Sequence, residues 1–325
     1  MTIGQVANLK IYEEQFYGGM FEAVAQNCDA FNAASQNTLQ LVRKDLLGQY
    51  NKESFWQAFS GLISRRNLAS VSAATDQPMT QEELVGVKIN RKVGPVCQAV
   101  GALLKIGSDQ KEMSFILGKM FGEEKLKDML NTALIAVEAA LQGQTSLIYN
   151  HSGTITHAGL VSGLALMGDR ADRIRCWVMH SAPYFDLMSQ AISDKITNIA
   201  DVVIMQGTVA TMGRPVILTD SSALYGAVSG SGSANTYSIL GLVEGGVVAT
   251  ESEEELVASD LVTGLEQLSF RVQAEYAFNL LLKGFQWDTS NGGANPTDSS
   301  LRTATNWDKV ATSIKDCAGV RITCS

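Results

Sequence analysis

Two stretches of this chain are each long enough to cross the whole fold. From residue 110 to residue 142, apolar side chains recur at helical spacing. Met113, Ile116, Leu117 and Met120 come first, then Leu126, Met129, Leu130, Ala133, Leu134, Val137, Ala140 and Leu141. The spacing predicts one helix, roughly 50 Å long at about 1.5 Å per residue. Gly118 and Gly122 each cost it about 1 kcal/mol relative to alanine and mark where it would bend or break. From residue 268 to residue 282, Leu268, Phe270, Val272, Ala274, Tyr276, Phe278, Leu280 and Leu282 occupy every second position. That period predicts a strand approaching 50 Å at about 3.3 Å per residue, where an ordinary strand has about 5–6 residues. A compact chain of this length has a radius of gyration of roughly 20 Å, so either element matches its diameter. Each has one apolar face, and the two are expected to pack together, with Leu130, Leu134 and Val137 against Tyr276 and Phe278. A slab with extensions that reach neighbours fits this anatomy. So does a large globular α+β enzyme with one long helix.

The remaining segments hang on that pair. Residues 1–50 read as a helical or irregular arm. Phe55, Trp56, Phe59, Leu62 and Ile63 follow a helical pattern that ends at Arg65 and Arg66, where cations complement the helix dipole. Residues 72–83 are polar and predict a loop. Val85, Val87, Ile89 and Val93 then alternate with Gly86, Lys88, Asn90 and Lys92, a strand with one wet face that Gly94-Pro95 should end. Arg91 falls on the apolar side of that strand and needs a partner. Region 65–105 therefore predicts a projecting hairpin, basic at Lys88, Arg91 and Lys92 and acidic at Glu82 and Glu83. The block 155–245 predicts a helix at 157–168, a strand at Ile174–Met179, and a helix capped by Ser181. Strands follow at Val202–Met205, Pro215–Thr219 and Tyr237–Val243, with a flexible tip at Ser229–Ser233. It reads as an α+β unit inserted between the two long elements.

No local motif for catalysis stands out. There is no GxxxxGK[ST] phosphate loop and no G-x-S-x-G elbow. His151, His157 and His180 lack a recognisable nucleophile turn and metal-ligand spacing. The acidic run at Glu251 and Glu253–Glu255 lacks a calcium-loop framework and reads as a solvated turn. Glu123 and Glu124 read as the acidic start of a helix. No catalytic residue, cofactor or metal is expected.

Composition narrows the class further. The net charge is −8, which argues against a nucleic-acid backbone as a main ligand. Five scattered cysteines without a CxxC pair fit a reduced compartment. The first residues carry no secretory signal pattern, and no run of 18 apolar residues predicts a membrane span.

Several passages together resemble the major capsid proteins of tailed double-stranded DNA bacteriophages, with the Hong Kong 97-type fold. They are Val85–Lys92 running into Gly94-Pro95-Val96, Met113–Gly118 before the long helix, Trp177–Ser181 entering a helix, and Gly213–Asp220. The C-terminal passages Lys283–Asp288, Gly292–Asp298 and Asn306–Lys309 are the most specific. The likeness covers about residues 50–325. It implies an α+β chain with an N-terminal arm at 1–64, an extended loop hairpin at 65–105 and a peripheral domain with its spine helix at 106–154. An axial domain at 155–245 follows, then the long strand and C-terminal segment of the peripheral domain at 246–325. By the same resemblance the chain assembles with itself into hexamers and pentamers of an icosahedral head enclosing double-stranded DNA. Expected partners are a separate scaffolding protein, a portal protein and a decoration protein, with assembly in the host bacterial cytoplasm and no covalent crosslink. Glu82, Glu83, Lys88, Arg91, Lys92, Glu123 and Glu124 are the candidate contacts between subunits, with Arg91 meeting a carboxylate of a neighbour. The alternatives are an encapsulin-like shell around a protein cargo and, in a different class, a cytosolic α+β hydrolase.

Overall fold

The structure, a computed structural model, describes residues 5–42, 50–56, 81–99, 110–196, 212–226, 236–252, 256–262, 266 and 269–325. Along the chain these form α1 (Gln5–Ala34), β1 (Leu39–Val42), β2 (Tyr50–Trp56), β3 (Gln81–Ala99) and α2 (Gln110–Gln142). Next come β4 (Ile148–Asn150), α3 (His157–Ala165), β5 (Ile174–Met179), α4 (Ser181–Ile196), β6 (Val216–Leu218) and β7 (Tyr237–Val243). The C-terminal part holds β8 (Val247–Glu251), β9 (Leu256–Val262), β10 (Ser269–Leu282) and β11 (Phe285–Trp287). The single turn α5 (Asp298–Leu301), β12 (Trp307–Lys309) and β13 (Gly319–Cys324) complete it. Expectations for 57–80, 202–205 and the Ser229–Ser233 tip lie outside the described residues.

Both long elements form, and each differs from its sequence reading in a way that tertiary packing explains. β10 is the axis of the first sheet, with β3 along one edge and β9 followed by β8 along the other. Its apolar face, from Val272 to Leu282, is buried as the alternation requires. The opposite face is wet only as far as Glu275, because Ala277 and Asn279 are also buried. β3 does not end at Gly94-Pro95. It continues to Ala99, because the register against β10 shifts between Val272 and Ala274. A bulge there absorbs a proline that cannot donate and a Gly94 at φ +86°. Phe55 and Trp56, read as a helix start, instead end β2 opposite Glu82 and Gln81. Pairing along an adjacent strand overrides a short helical pattern.

The second sheet runs in the order β4-β13-β7-β5-β6. The block 155–245 supplies β5, β6 and β7, while β4 and β13 come from either side of it. Between the sheets lies the C-terminal half of α2, where every residue from Thr132 to Leu141 is buried. The expected one-sided apolar stripe is therefore an all-round core helix, and Ala133, Ala136, Ala139 and Ala140 keep it slim enough for neighbours on each side. The face toward β10 is set by Lys125, Asp128 and Thr132. The Tyr276 hydroxyl donates to Asp128 at 2.7 Å, and Lys125 Nζ sits 5.5 Å from the centre of the Tyr276 ring. At about 100° per residue, Leu134 falls about half a turn away from Lys125. Leu130 and Leu134 line a cleft instead of packing on Tyr276 and Phe278 as expected.

α2 is also unbroken at its glycines. α1 crosses it so closely that a Cβ on Gly118 would lie 2.1 Å from the Phe16 carbonyl oxygen. A Cβ on Gly19 would lie 2.3 Å from the carbonyl oxygen of Phe115. Phe16 and Phe121 meet edge to face beside this crossing, with centroids 5.1 Å apart. The arm read as helical or irregular is therefore a long helix docked along α2.

Candidate assembly surface

β3 and α2 carry the residues singled out from the sequence, and the fold treats them differently. Arg91 sits on the apolar face of β3, beside Tyr276 of β10, and points at α2. Its Nε lies 3.1 Å from Asp128 Oδ2, out of line for a good hydrogen bond. Its Nη2 donates to Asp298 at the start of α5 and to Thr132 Oγ1 at 3.2 Å. Burial works against this cation, but Asp298 and Asp128 hold its pKa above the ordinary guanidinium value. Burial and the Asp128 hydrogen bond likewise push the Tyr276 phenol up, so Tyr276 remains a donor. The partner expected on a neighbouring subunit is thus met within the chain, by carboxylates from two different elements. Sequence periodicity correctly marked Arg91 as needing a partner. Asp298 lies more than 200 positions away, and nothing local pointed to it.

The other candidates scatter. Glu83 pairs with Lys52 of β2 at 2.9 Å on an exposed surface, and such a pair is worth about 0–1 kcal/mol. Glu82 lies on β3 opposite Phe55. Lys88, expected on the wet face, is buried, because that face is covered where β3 runs beside Asn279. Lys92 is exposed and lies opposite Glu275. Glu123 and Glu124 are not at a helix start. They are exposed in the first half of α2, Glu124 with Lys127 at 3.4 Å, and both line the cleft.

That cleft measures about 900 Å³ and lies between α1, α2 and the turn after β6. Phe31, Leu41, Leu126, Leu130 and Leu134 line its apolar floor. Glu123, Glu124 and Asp220 stand at its acidic rim. Asp220 accepts the Ser181 backbone N–H at 3.3 Å at the start of α4, and His180 Nε2 is 3.5 Å away. The Ser181 hydroxyl and N–H hold the Asp220 carboxyl below its usual range. Since the folded pKa is the lower one, this support for α4 is present above the unfolded value of about 3.9. It is lost as pH falls through the folded value.

Two buried ion pairs were not legible from the sequence. Lys125 of α2 meets Glu251 of β8 at 2.7 Å. Glu138 of α2 meets Arg321 of β13 at 2.8 Å, with Ser238 of β7 between them. Together they tie α2 to both sheets. Among the described residues, no group of three or more His, Cys, Asp or Glu side chains is placed to hold a metal ion.

Two predictions arise here. Arg91→Ala leaves Asp128 and Asp298 without their cation and lowers subunit stability by about 1–3 kcal/mol, the scale of charged hydrogen bonds. Denaturant unfolding of the variant measures it. The thiols divide sharply. Burial raises Cys176 and Cys317 to about 11 and Cys324 to about 12, and Cys28 is buried, whereas Cys97 on β3 is exposed. A thiol-reactive dye at pH 8 should label Cys97 in the folded subunit and the other four only after denaturation. Equal labelling of Cys176 in the native state would contradict this burial.

A model of the family described as Gp13-like, major capsid protein 13-like, matches residues 8–321. The chain belongs to this family. It is a structural subunit of a phage head, and the fold agrees. The chain is similar to a chain of the cyanophage Pam1 capsid asymmetric unit, at 11% identity and TM-score 0.51, covering 86% of this chain and 85% of that one. It is also similar to a structure of Microbacterium phage Oxtober96, at 10% identity and TM-score 0.53, covering 90% of this chain and 91% of that one. A structure of Mycobacterium phage Cain matches at 11% identity and TM-score 0.50, covering 90% and 89%. No curated protein matches the chain by sequence. At such identities the common feature is the α+β fold that the chain shares with these phage capsid proteins.

Proposed function

We propose that this capsid subunit assembles through hexamers and pentamers into an icosahedral shell around double-stranded DNA. A separate scaffolding protein guides assembly in the host bacterial cytoplasm, a portal protein occupies one vertex, and a decoration protein binds the finished surface. The observation that carries this reading is the capsid family match, which spans nearly the whole chain. The net charge of −8 supports it, since a wall that bound DNA tightly would hinder packing and release. Region 65–105 is proposed to meet an adjacent subunit through its exposed residues, although its strand β3 does not project as expected but packs along β10 of its own chain. β2 and β3 are paired up to Trp56 opposite Gln81. The exposed Glu83 and Lys92 and the Glu123–Glu124 pair of α2 are the retained contact candidates, with Glu82, whereas Lys88 is buried within its own chain.

The test is expression of the full chain with and without a scaffolding protein, followed by electron microscopy of the purified particles. Closed shells or ring-shaped capsomers are the expected product. A protein that stays monomeric at high concentration overturns the proposal. Nucleic acid inside particles from infected cells supports the head over an encapsulin-like container, and a protein cargo supports the reverse.

A further inference from the structure

The second sheet places an acidic cleft and a basic corner at opposite ends of one strand pair. β5 and β6 run parallel, Trp177 beside Val216 and Met179 beside Leu218. At their C-terminal ends the chain enters the cleft through Thr219, Asp220, Ser221 and Ser222. Four carboxylates line that cleft, Glu123, Glu124, Asp128 and Asp220, and Lys127 is the cation lining it. Asp128 is already engaged by Arg91 and Tyr276, which leaves Glu123, Glu124 and Asp220 as its acidic face. At the N-terminal ends the charge reverses. Arg214 leads into β6 and donates to the carbonyls of Ile174 and Ala171, which fixes this end beside the start of β5. Arg170 and Arg173 both donate to one oxygen of Asp316, at 2.6 and 2.7 Å. Lys315 pairs with Asp169, and Asp172 is exposed beside them. With Arg175 and Arg214, five cations at this end therefore face three carboxylates among the described residues. Arg175, second residue of β5, is exposed, and no described carboxylate pairs with it. The two ends are one strand apart, about 20 Å for the six residues of β5.

We propose that the acidic cleft receives the basic corner of a second copy of this chain, in a head-to-tail contact that closes into rings. This deepens the head-subunit reading and rests on it. The occupant follows from charge and shape. Arginine stems are apolar and their heads charged, so they suit a cleft with a leucine and phenylalanine floor and a carboxylate rim. Because cleft and corner are different surfaces on opposite ends of one element, each copy both gives and receives. Such heterologous contacts form closed rings when the rotation closes.

The test uses three full-length variants: E123R/E124R, R173E/R175E, and a chain carrying all four changes. Circular dichroism melting checks folding, and sedimentation velocity with electron microscopy reads assembly. The first two variants should each raise the concentration at which rings appear by about tenfold or more, the factor for about 1.4 kcal/mol. Their melting should match wild type. The four-change chain, complementary again, should recover assembly. Mixing the first two should restore rings with even membership only, since a reversed cleft accepts only a reversed corner and an odd ring cannot alternate. If R173E/R175E melts early through its Asp316 contact, R175Q replaces it and must still raise the threshold. Wild-type thresholds for the first two variants overturn this proposal alone, as does a folded four-change chain that fails to recover. A wild-type chain that never forms rings overturns the head-subunit reading with it.

Discussion

Glu138→Ala lowers the stability of the subunit by about 3–5 kcal/mol, because it strands a buried cation. Arg321 is 2% exposed and Glu138 is 8% exposed, with 2.8 Å between Arg321 Nη2 and Glu138 Oε1. Ser238 Oγ accepts from Arg321 Nε and Nη2 at 3.3 and 3.1 Å and donates to Glu138 Oε1 at 3.2 Å. Burial already lowers the Arg321 pKa, and the Glu138 charge and hydrogen bond are what oppose that shift. Without Glu138 the guanidinium keeps only the serine oxygen. Breaking a buried pair costs far more than replacing it whole, so Glu138→Met with Arg321→Met should recover most of the loss. Chemical denaturation of the wild type, the single variant and the double variant measures both steps. A single variant within 1 kcal/mol of wild type would show that water reaches Arg321 and that the pair does not lock α2 to β13.

The second large effect runs against helix propensity. Glycine to alanine inside a helix ordinarily stabilises it by about 1 kcal/mol. At Gly118 the added methyl would stand 2.1 Å from the Phe16 carbonyl oxygen, on the backbone of another helix that no rotamer change can move. Gly118→Ala is therefore expected to destabilise the subunit by about 1–3 kcal/mol, the cost of overpacking, by pushing α1 off α2. Gly18→Ala supplies the control. Nothing lies within 4 Å of its Cβ position, so there the propensity gain should appear with its ordinary sign. Thermal melting of both variants, with limited proteolysis of the N-terminal helix as the local readout, separates crossing from propensity. Outcomes of opposite sign at the two glycines support the close crossing; a stabilised Gly118→Ala chain rejects it.

These two sites show where sequence reading stops. The periods of 3.6 and 2 are properties of the local chain, and they carried α2 at 110–142 and β10 to within a residue. Composition and missing motifs carried the non-enzymatic class, and the distributed passages carried the capsid resemblance. A period says that a face is apolar but not what covers it. Thus Leu130 and Leu134 were assigned to β10 when they line the cleft, and Lys88 was assigned to solvent when it is buried. Gly118 and Gly122 looked like weak points because their partner, α1, is about a hundred positions away in sequence. Glu138, read alone, was one polar residue in an apolar helix, and only β13 at the far end of the chain brings Arg321 to it. Arg91 lay between these cases: alternation placed it on the wrong face for a charge, while tertiary folding chose Asp128 and Asp298. Local dihedral and burial preferences act over a few residues and are written in order along the sequence. Ion pairs, helix crossings and the cleft depend on which distant surfaces meet, and that was decided only when the two sheets closed around α2.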